Sequence, residues 1–372
     1  MKTPEIDYIT INGFKSIKSI TKLALHPINV VIGPNGSGKS NFIGVFSFLH
    51  AIREGHLQDY IRQAGGADNV LHYGAKITKE ISINISFLNG VNTYTLTLKP
   101  TDEDSLYPSS ETVSFWDKSK YDRPYTEELQ PMGNGREAGI SSDKLKRTPD
   151  WVRARLGRWR LYHLHDTSTT SPMRKTSQLD DNAFLRPDGS NLPAFLYLLQ
   201  EKHQETYSLI RRSVQRAIPF FDNFTLAPDT LNENSIRLAW KHKHSDKYFG
   251  ARALSDGSLR FIALATLLLQ PIQFRPSVIL IDEPELGLHP AAITLLASLV
   301  KQASQETQVI LSTQSSLLLD HFNPEDVLVA ERTNGGTEFR RLDPQALESW
   351  LADYSLGQLW EKNELGGRPQ SE

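Results

Sequence analysis

A glycine-rich turn that ends in lysine and serine, GPNGSGKS at residues 33–40, has the clearest chemical potential in this sequence. It fits the phosphate-binding pattern G-x-x-x-x-G-K-[ST] and follows a short apolar run, as that pattern requires. Glycines let backbone N–H groups approach a phosphate closely, and a helix that starts here adds a partial positive charge. We predict that a nucleotide binds to this P-loop, which consists of Gly33, Pro34, Asn35, Gly36, Ser37, Gly38, Lys39 and Ser40.

Two side chains of the P-loop have predicted roles of their own. Lys39 would reach the β- and γ-phosphates of ATP, and Ser40 would ligate Mg²⁺. The alternative is a structural glycine turn between a strand and a helix.

A pair of carboxylates, Asp282 and Glu283, ends a second apolar run in SVILIDEPELGLHP at residues 277–290. Four consecutive apolar residues before the pair are typical of a central parallel strand, and open α/β sheets bind ligands at the carboxyl ends of such strands. We predict that Asp282 holds the Mg²⁺ shell and that Glu283 polarises the attacking water, a task that needs a placed carboxylate. The alternative is a solvated acidic turn.

A third stretch, ALSDGSLRF at residues 253–261, places Ser255 and Gly257 just before a strongly apolar helix. The start of a helix is a ready anion site. A chain that already has a P-loop does not need a second phosphate site for the same nucleotide. We therefore predict that Ser255 and Gly257 contact the γ-phosphate of ATP bound to a partner subunit. The sequence contains no N-K-x-D guanine motif, which argues against a GTPase.

The composition limits what can surround these motifs. The chain has 372 residues, 39% hydrophobic and 23% charged, as is ordinary for a soluble globular protein. A net charge of −2 means that any contact with nucleic acid must come from a local patch. The sequence has no cysteine, so disulfides and cysteine-ligated zinc are excluded. No apolar run reaches the roughly 18 residues that span a bilayer, so we expect a cytoplasmic protein without a membrane partner.

The elements that must position the motifs are predicted from periodicity. Short strands over residues 6–32 lead into the P-loop, and an apolar helix follows it. Two alternating runs around Asn89-Gly90 indicate a hairpin, and WRLYHLH at 159–165 indicates a strand. From residue 233 onward, strands and helices alternate, which favours a parallel sheet covered by helices.

The predicted fold class is α/β, with a mixed-sheet lobe and an inserted helical lobe. No heptads are sustained over several turns, so no long coiled coil is expected. We predict that residues 1–165 form the N-terminal half of the sheet lobe, with a loop insert at 118–150. Residues 166–232 would form the helical lobe, and residues 233–372 the C-terminal half of the sheet lobe.

Several of these stretches resemble one group of P-loop proteins. GFKS at 13–16 and GPNGSGKSN at 33–41 are similar to the opening of SMC and RecF-type ATPase heads, and LSDGS at 254–258 resembles their L-S-G-G-Q/E signature. ILIDEPELGLHP and VILSTQSSLLLD resemble strands of OLD-like (overcoming lysogenization defect) ATPases. Over most of its length, the chain is most similar to stand-alone bacterial predicted ATPases of the AAA_21 type. The resemblance implies a P-loop NTPase of ABC-ATPase type that binds ATP and Mg²⁺ and hydrolyses ATP.

The resemblance also assigns residues. It implies that Lys15, Ser16 and Asn41 lie near the nucleotide and that Gln314 occupies the switch position, where many ABC heads have histidine. A neutral Gln can still donate a hydrogen bond to phosphate or water, so the implied catalytic set is Glu283, Gln314 and Lys39. Asp256 replaces a signature glycine; it would either cap the helix or repel the γ-phosphate and slow turnover.

Two further clusters have more than one interpretation. His163 and His165, with Asp166 beside them, would form a metal pair, pack in the core, or belong to a nucleotide-sensing hinge. The stretch KLKRTPDWVRARLGRWR at 144–160 would either bind DNA through its seven basic residues and two tryptophans, or form a solvated helix with the tryptophans packed inward.

Together these features predict an ATPase that acts through ATP-dependent dimerisation. ATP would bring two copies together head to tail, and hydrolysis would reset the dimer or a higher assembly. The first hypothesis for its role is a DNA-associated switch in phage defence or repair, working with a separately encoded nuclease or toxin effector. The alternative is a low-turnover, ATP-gated scaffold that sequesters an effector without binding DNA.

Overall fold

The computed structural model describes residues 4–333 and 335–366. The end of the third predicted segment, residues 367–372, lies outside the described residues, as do residues 1–3. The strands, in chain order, are β1 (Ile6–Phe14), β2 (Ile17–Ala24), β3 (Ile28–Ile32), β4 (Ile81–Phe87), β5 (Asn92–Pro100), β6 (Leu106–Phe115), β7 (Tyr125–Glu128), β8 (Trp159–Tyr162), β9 (Ser177–Gln178), β10 (Phe221–Thr225), β11 (Pro228–Asp229), β12 (Asn232–Ile236), β13 (Ala239–His242), β14 (Tyr248–Gly250), β15 (Val278–Asp282), β16 (Gln308–Thr313), β17 (Val327–Thr333) and β18 (Gly336–Arg341).

Most of the helices of the described residues lie in the second half of the chain. They are α1 (Lys39–Arg53), α2 (Leu57–Ala64), α3 (Arg147–Leu156), α4 (Leu192–Lys202), α5 (Gln204–Ala217), α6 (Asp256–Leu269), α7 (Pro290–Ala303), α8 (Ser316–Leu319), α9 (Pro344–Leu351) and α10 (Leu356–Glu361). The longest within the described ranges, α1, has 15 residues. No long coiled coil lies in that part of the chain, as the sequence predicts. The same ranges contain no helix with the length and apolar character needed to cross a bilayer.

Two six-stranded sheets form the framework. The first has the order β2-β1-β4-β5-β6-β7 and is antiparallel throughout. The second has the order β18-β17-β3-β16-β15-β8, and all its neighbours are parallel except β17 and β18. The mixed α/β class predicted from the sequence is therefore confirmed.

The parallel sheet is buried on both faces, which explains its uninterrupted apolar runs. Side chains alternate across a strand. In β15, Ile279 and Ile281 join the core shared with α4 to α7, whereas Val278 and Leu280 join the core shared with α1 and the antiparallel sheet. Because β3, β15 and β16 are parallel neighbours, the loops that follow them leave the same edge of the sheet.

The hairpin predicted around Asn89-Gly90 is confirmed. Strands β4 and β5 pair antiparallel, with Phe87 opposite Asn92. Asn89 and Gly90 have φ angles of 58° and 81°, a region in which Asn and Gly are favoured. The Asp7 carboxylate accepts hydrogen bonds from both of their N–H groups, at 2.9 and 2.8 Å, which fixes the turn.

Two local predictions are wrong. The strand predicted at 159–165 ends at Tyr162, because the His163 N–H then donates to the Pro187 carbonyl at 3.0 Å and the chain leaves the sheet. The segment 118–150, predicted as a loop insert, contains β7 paired with β6 and the start of α3.

The segment 166–232, predicted as a helical lobe, contains two helices, each with a buried apolar face. Leu192, Phe195, Leu196 and Leu199 are buried on α4, and Tyr207, Ile210 and Val214 are buried on α5. The same segment also contributes short strands to two three-stranded sheets. Its apolar residues belong to the same core cluster as those of α6 and α7. The boundaries proposed at 165 and 232 stay predictions.

Candidate nucleotide site

The P-loop has the strand–turn–helix context predicted for it. Strand β3 ends at Ile32 and α1 starts at Lys39, with Gly38 as its N-cap at a φ of 101°. A Cβ atom on Gly38 would lie 2.2 Å from the Thr337 hydroxyl oxygen, so no larger residue fits there. This turn leaves the first N–H groups of α1 at the carboxyl edge of the sheet, where they can bind an anion.

Lys39 is buried at the centre of this turn, with 6% of its surface exposed. Its ammonium donates to the carbonyl oxygens of Gly33 at 2.7 Å and Pro34 at 3.0 Å. Burial lowers the pKa of Lys39, and the carboxylates of Glu283, Asp282 and Glu285 oppose this shift. The sheet thus brings three carboxylates, distant in sequence, into the field of the P-loop lysine.

The carboxylates at the end of β15 meet residues at the end of β16. In the parallel pairing of these strands, Asp282 lies opposite Ser312, whose hydroxyl donates to the Asp282 carboxylate. Just beyond this pair, the Gln314 side-chain amide donates to the Glu283 carboxylate. Two residues of the implied catalytic set, Glu283 and Gln314, are therefore in direct contact.

The backbone at Glu283 is held in an uncommon conformation. Its φ angle is 42°, in the left-handed region that side chains other than Gly, Asn and Asp rarely adopt. Its N–H donates to the Ser312 carbonyl at 3.0 Å, which helps to hold that geometry. Strained residues of this kind cluster at functional sites, because the surroundings must over-determine them.

A carboxylate that the sequence analysis did not select, Glu285, lies beneath this pair. It is buried, and its Oε1 accepts from the Thr313 hydroxyl at 2.5 Å and from the Gln314 N–H at 3.3 Å. Its Oε2 is buried without a hydrogen-bond partner. Burial raises the pKa of the Glu285 carboxyl, and the bonds from Thr313 and Gln314 partly oppose this shift. Glu285 therefore fixes the backbone from which the Gln314 side chain reaches Glu283.

The raised pKa of Glu285 predicts a pH-dependent stability difference. A carboxyl that keeps its proton to higher pH in the folded state stabilises the fold below its ordinary pKa of 4.5, and this contribution is lost as the pH rises through the folded-state value. Glu285→Gln removes that loss. In urea unfolding, the free energy of unfolding of the variant should exceed that of wild type well above pH 4.5, and the gap should shrink as the pH falls towards 4.5.

The matched control for this measurement is Glu128→Gln, on the exposed end of β7. It should show no such pH-dependent gap. A Glu285→Gln difference that stays constant across the pH range, or grows as the pH falls, would contradict the assignment.

The signature stretch starts α6 and faces outward. Ser255 is exposed and caps the helix, its hydroxyl accepting from the Ser258 N–H at 3.2 Å. Gly257 packs against the turn that follows Glu283: a Cβ there would lie 2.0 Å from the Gly287 carbonyl oxygen. Of the two roles considered for Asp256, that of helix cap is wrong, because Ser255 fills it; Asp256 instead pairs with Arg174 at 2.8 Å.

The three residues assigned beside the P-loop differ in position. The Ser16 hydroxyl accepts from the Asn41 side chain at 2.8 Å and lies 2.7 Å from where a Gly38 Cβ would be. The Lys15 ammonium instead lies over the rings of Phe14 and Tyr60, at 5.6 and 5.8 Å from their centres. Ser16 and Asn41 therefore line the P-loop, and a nucleotide contact of Lys15 stays a prediction.

Comparison with known proteins assigns the chain to a family. The model of the AAA_21 family, described as "AAA domain, putative AbiEii toxin, Type IV TA system", matches residues 28–320, more than half of the chain. The chain belongs to the AAA_21 family. Over 55 residues it is also 40% identical to structural maintenance of chromosomes protein 1 of Saccharomyces cerevisiae, a match that spans 14% of this chain and 4% of that protein.

Solved structures show the same fold for almost the whole AAA_21 chain. The SmcHead bound to the C-winged helix domain of ScpA matches with a TM-score of 0.61 and 16% identity, over 92% of this chain and 99% of that one. The Smc head domain from Pyrococcus furiosus, bound to the C-terminal domain of ScpA, matches with a TM-score of 0.53 and 15% identity, over 94% and 99% of the two chains. The fold is therefore that of an SMC-type ABC ATPase head.

His163 and His165 follow β8 and lie near Asp282, at the carboxyl edge of the parallel sheet. The side chain of His163 is exposed on one side, but protein atoms around the ring partly desolvate it. This desolvation and the nearby His165 lower the pKa of His163, and the Asp282 carboxylate only partly opposes the shift. The carbonyls of Leu164 and His165 accept from the buried Arg260 guanidinium at 3.0 Å. Within residues 4–333 and 335–366, no group of three or more His, Cys, Asp or Glu side chains is arranged to hold a metal ion. These contacts favour the hinge or packing interpretation over a metal pair.

The basic stretch of the AAA_21 chain is partly used for packing. Trp159 is buried and Trp151 contacts Phe87 edge-on, so the tryptophans do point inward. Arg155 lies over the Trp151 ring and pairs with Glu5 at 3.2 Å. Exposed cations remain in this stretch: Lys144, Lys146, Arg147 and Arg158.

Proposed function

We propose that this chain binds ATP with Mg²⁺ and hydrolyses it within a head-to-tail dimer. The observation that carries the proposal is the division of the site: the P-loop, the carboxylates and Gln314 meet at one sheet edge, whereas Ser255 and Gly257 start an outward-facing helix. Within the chain, Ser255 accepts a hydrogen bond from the Ser258 N–H, Asp256 pairs with Arg174, and Gly257 packs against Gly287. A second copy would bring such a helix start to the γ-phosphate.

The residues present suit an Mg²⁺–ATP complex. Mg²⁺ keeps several waters and needs only one or two protein ligands beside the phosphates, and Ser40 and Asp282 supply a hydroxyl and a carboxylate. Mg²⁺ would neutralise charge on the β- and γ-phosphates. Lys39 would exchange its bonds to the Gly33 and Pro34 carbonyls for bonds to phosphate oxygens. Glu283 would take a proton from the attacking water, with Gln314 orienting its carboxylate.

The dimer can be tested by light scattering with the full chain. A non-hydrolysable ATP analogue with Mg²⁺ should double the mass of wild type, and ADP should not. Ser255→Arg places a bulky cation on the exposed helix start, so it should keep nucleotide binding in cis and lose the doubling. Ser109→Arg, on the exposed face of β6, is the matched control and should dimerise normally. A wild-type mass indifferent to the analogue would overturn the proposal.

For the biological role, we propose a DNA-associated switch, in phage defence or repair, that acts on a separately encoded nuclease or toxin effector. The exposed cations Lys144, Lys146 and Arg147 at the start of α3 support a DNA contact. The family description, which names a toxin system, and the likeness to SMC heads support an effector or DNA partner.

A second candidate is a low-turnover scaffold that sequesters an effector without DNA. It is favoured by the contact between Gln314 and Glu283, because a hydrogen bond from the amide lowers the basicity of the Glu283 carboxylate and so would slow turnover. The two candidates differ in one testable property: the switch binds DNA and the scaffold does not.

Salt-dependent DNA binding separates the two roles. If the switch binds DNA through α3, fluorescence anisotropy should show an affinity that falls steeply with salt, and the triple variant Lys144→Glu/Lys146→Glu/Arg147→Glu should reduce the slope of log K against log salt by up to about 3. The triple variant Lys76→Glu/Lys79→Glu/Lys99→Glu, also at exposed positions, is the control. Absence of salt-sensitive binding, with and without ATP, would leave the scaffold as the role.

A further inference from the structure

The Arg174 side chain bonds to the backbone that leads into α6 and to Asp256, the first residue of that helix. It ends a short 3-10 turn, Pro172–Arg174, and only 5% of its side chain is exposed. Its Nη2 donates to the Asp256 carboxylate at 2.8 Å, its Nη1 to the Leu254 carbonyl at 3.1 Å, and its Nε to the Thr167 carbonyl at 2.9 Å. Nη1 also donates to the Ala251 carbonyl.

These bonds act on both the shape and the charge of the signature. The Ala251 and Leu254 carbonyls belong to the backbone that leads directly into Ser255, so the guanidinium fixes the direction in which α6 starts. Asp256 is the first residue of that helix and is 64% exposed at its side chain. Without a cationic partner, its negative charge would stand between Ser255 and Gly257, where an anion is to bind.

We infer that Arg174 is a positioning residue for the γ-phosphate site that this chain offers to a partner copy, and that it acts by neutralising Asp256. The inference rests on the proposed head-to-tail dimer. It gives a physical reason why an acidic residue is tolerated where the signature of SMC and RecF-type heads has glycine: the Asp256 carboxylate faces a buried guanidinium that the chain itself supplies.

A second arginine, Arg260, also holds the region around the start of α6. Arg260, on the same helix α6, donates to the Leu164 and His165 carbonyls. It therefore ties the segment after β8 to α6 independently of Arg174. Arg174→Met keeps the aliphatic stem but leaves the Thr167, Ala251 and Leu254 carbonyls without this donor, so we expect a lower free energy of unfolding. Urea unfolding therefore accompanies the dimerisation assay, to show that each variant is folded under the assay conditions.

The test compares ATP-induced dimerisation of wild type, Arg174→Met, Asp256→Asn and the double variant Arg174→Met/Asp256→Asn. The dimer dissociation constant is measured by analytical ultracentrifugation with the non-hydrolysable ATP analogue and Mg²⁺. Arg174→Met should weaken the dimer at least tenfold, and the double variant should recover most of that loss, because it removes the uncompensated charge. Affinity for labelled ATP at protein concentrations below dimerisation should stay unchanged in all four.

Arg186→Met is the matched control, because Arg186 also pairs with an aspartate, Asp181, away from the signature. It should dimerise as wild type does. Dimerisation of Arg174→Met at the wild-type level would overturn the inference. Failure of Asp256→Asn to rescue it would also do so, since the arginine would then act on the backbone alone. Failure of wild type itself to dimerise would instead refute the proposed dimer, so the two failures are distinguishable.

Discussion

Replacing Glu283 with Gln should lower the ATP turnover rate by about 10²- to 10⁴-fold, the range expected when a general base is removed. Nucleotide binding should be retained, because the phosphate contacts come from the P-loop and Lys39. The variant should then accumulate as an ATP-bound dimer, with a doubled mass in ATP and Mg²⁺ that wild type shows only transiently. Phosphate release and light scattering on the same samples measure both effects.

The geometry makes Glu283→Gln a conservative change. The Gln314 amide donates to Glu283 Oε1, and a Gln side chain presents an amide oxygen at the same place. The strained backbone at a φ of 42° is unaffected by this isosteric replacement. A loss of turnover is therefore attributable to the lost basicity of the carboxylate.

Glu128→Gln, on the exposed end of β7, serves as the matched control and should turn over ATP at the wild-type rate. Turnover by Glu283→Gln within about threefold of wild type would remove Glu283 from the chemistry. In that case Glu285, the buried carboxylate one contact away, would be the next residue to test.

Local patterns in the sequence were enough to place the nucleotide-binding motifs. The turn GPNGSGKS predicts a P-loop and the apolar run ending at Asp282 predicts a central strand, because each pattern is set by residues within a few positions of one another. Such motifs can be predicted without knowledge of the tertiary structure. Parallel pairing of β15 with β16 then brings together Glu283 and Gln314, which the resemblance had placed in one catalytic set.

Partners set by tertiary packing could not be predicted in the same way. Arg174 and Asp256 are 82 residues apart, and nothing in either local sequence indicates their contact. In the sequence, Glu285 looks like a solvent-exposed residue of an acidic turn. It is buried only because that turn packs against Thr313 and Gln314. Its sole signal was a third carboxylate three residues after Asp282.

The early end of β8 has the same origin. The alternation in WRLYHLH continues to His165, but the neighbouring strand β15 pairs with β8 only from Val278 to Ile281. Strand β15 itself continues to Asp282, but the His163 N–H donates to the Pro187 carbonyl instead of joining the sheet. The end of this edge strand therefore depends on a tertiary contact, which a local pattern does not contain.

Lys39→Met should produce the largest loss of nucleotide affinity. Truncating one partner of a buried, hydrogen-bonded charge pair costs about 2–5 kcal/mol, and every 1.4 kcal/mol is tenfold in the dissociation constant. We therefore expect ATP binding at least about 30-fold weaker, measured by titration calorimetry with Mg²⁺, and no ATP-dependent dimer. Lys99→Met, at an exposed position on β5, is the control and should bind ATP as wild type does.

Stability should respond differently from affinity in this variant. The Lys39 ammonium bonds to two carbonyls but is also buried, and that burial lowers its pKa, so the charge carries a desolvation cost in the fold. Removing it leaves the two carbonyl acceptors without this donor but also relieves the desolvation of the charge, so the free energy of unfolding should fall by no more than about 1–3 kcal/mol. Unchanged ATP affinity in a folded Lys39→Met would mean that the glycine turn is structural only. Weak binding together with a large loss of stability would mean that the lysine holds the turn rather than the phosphate.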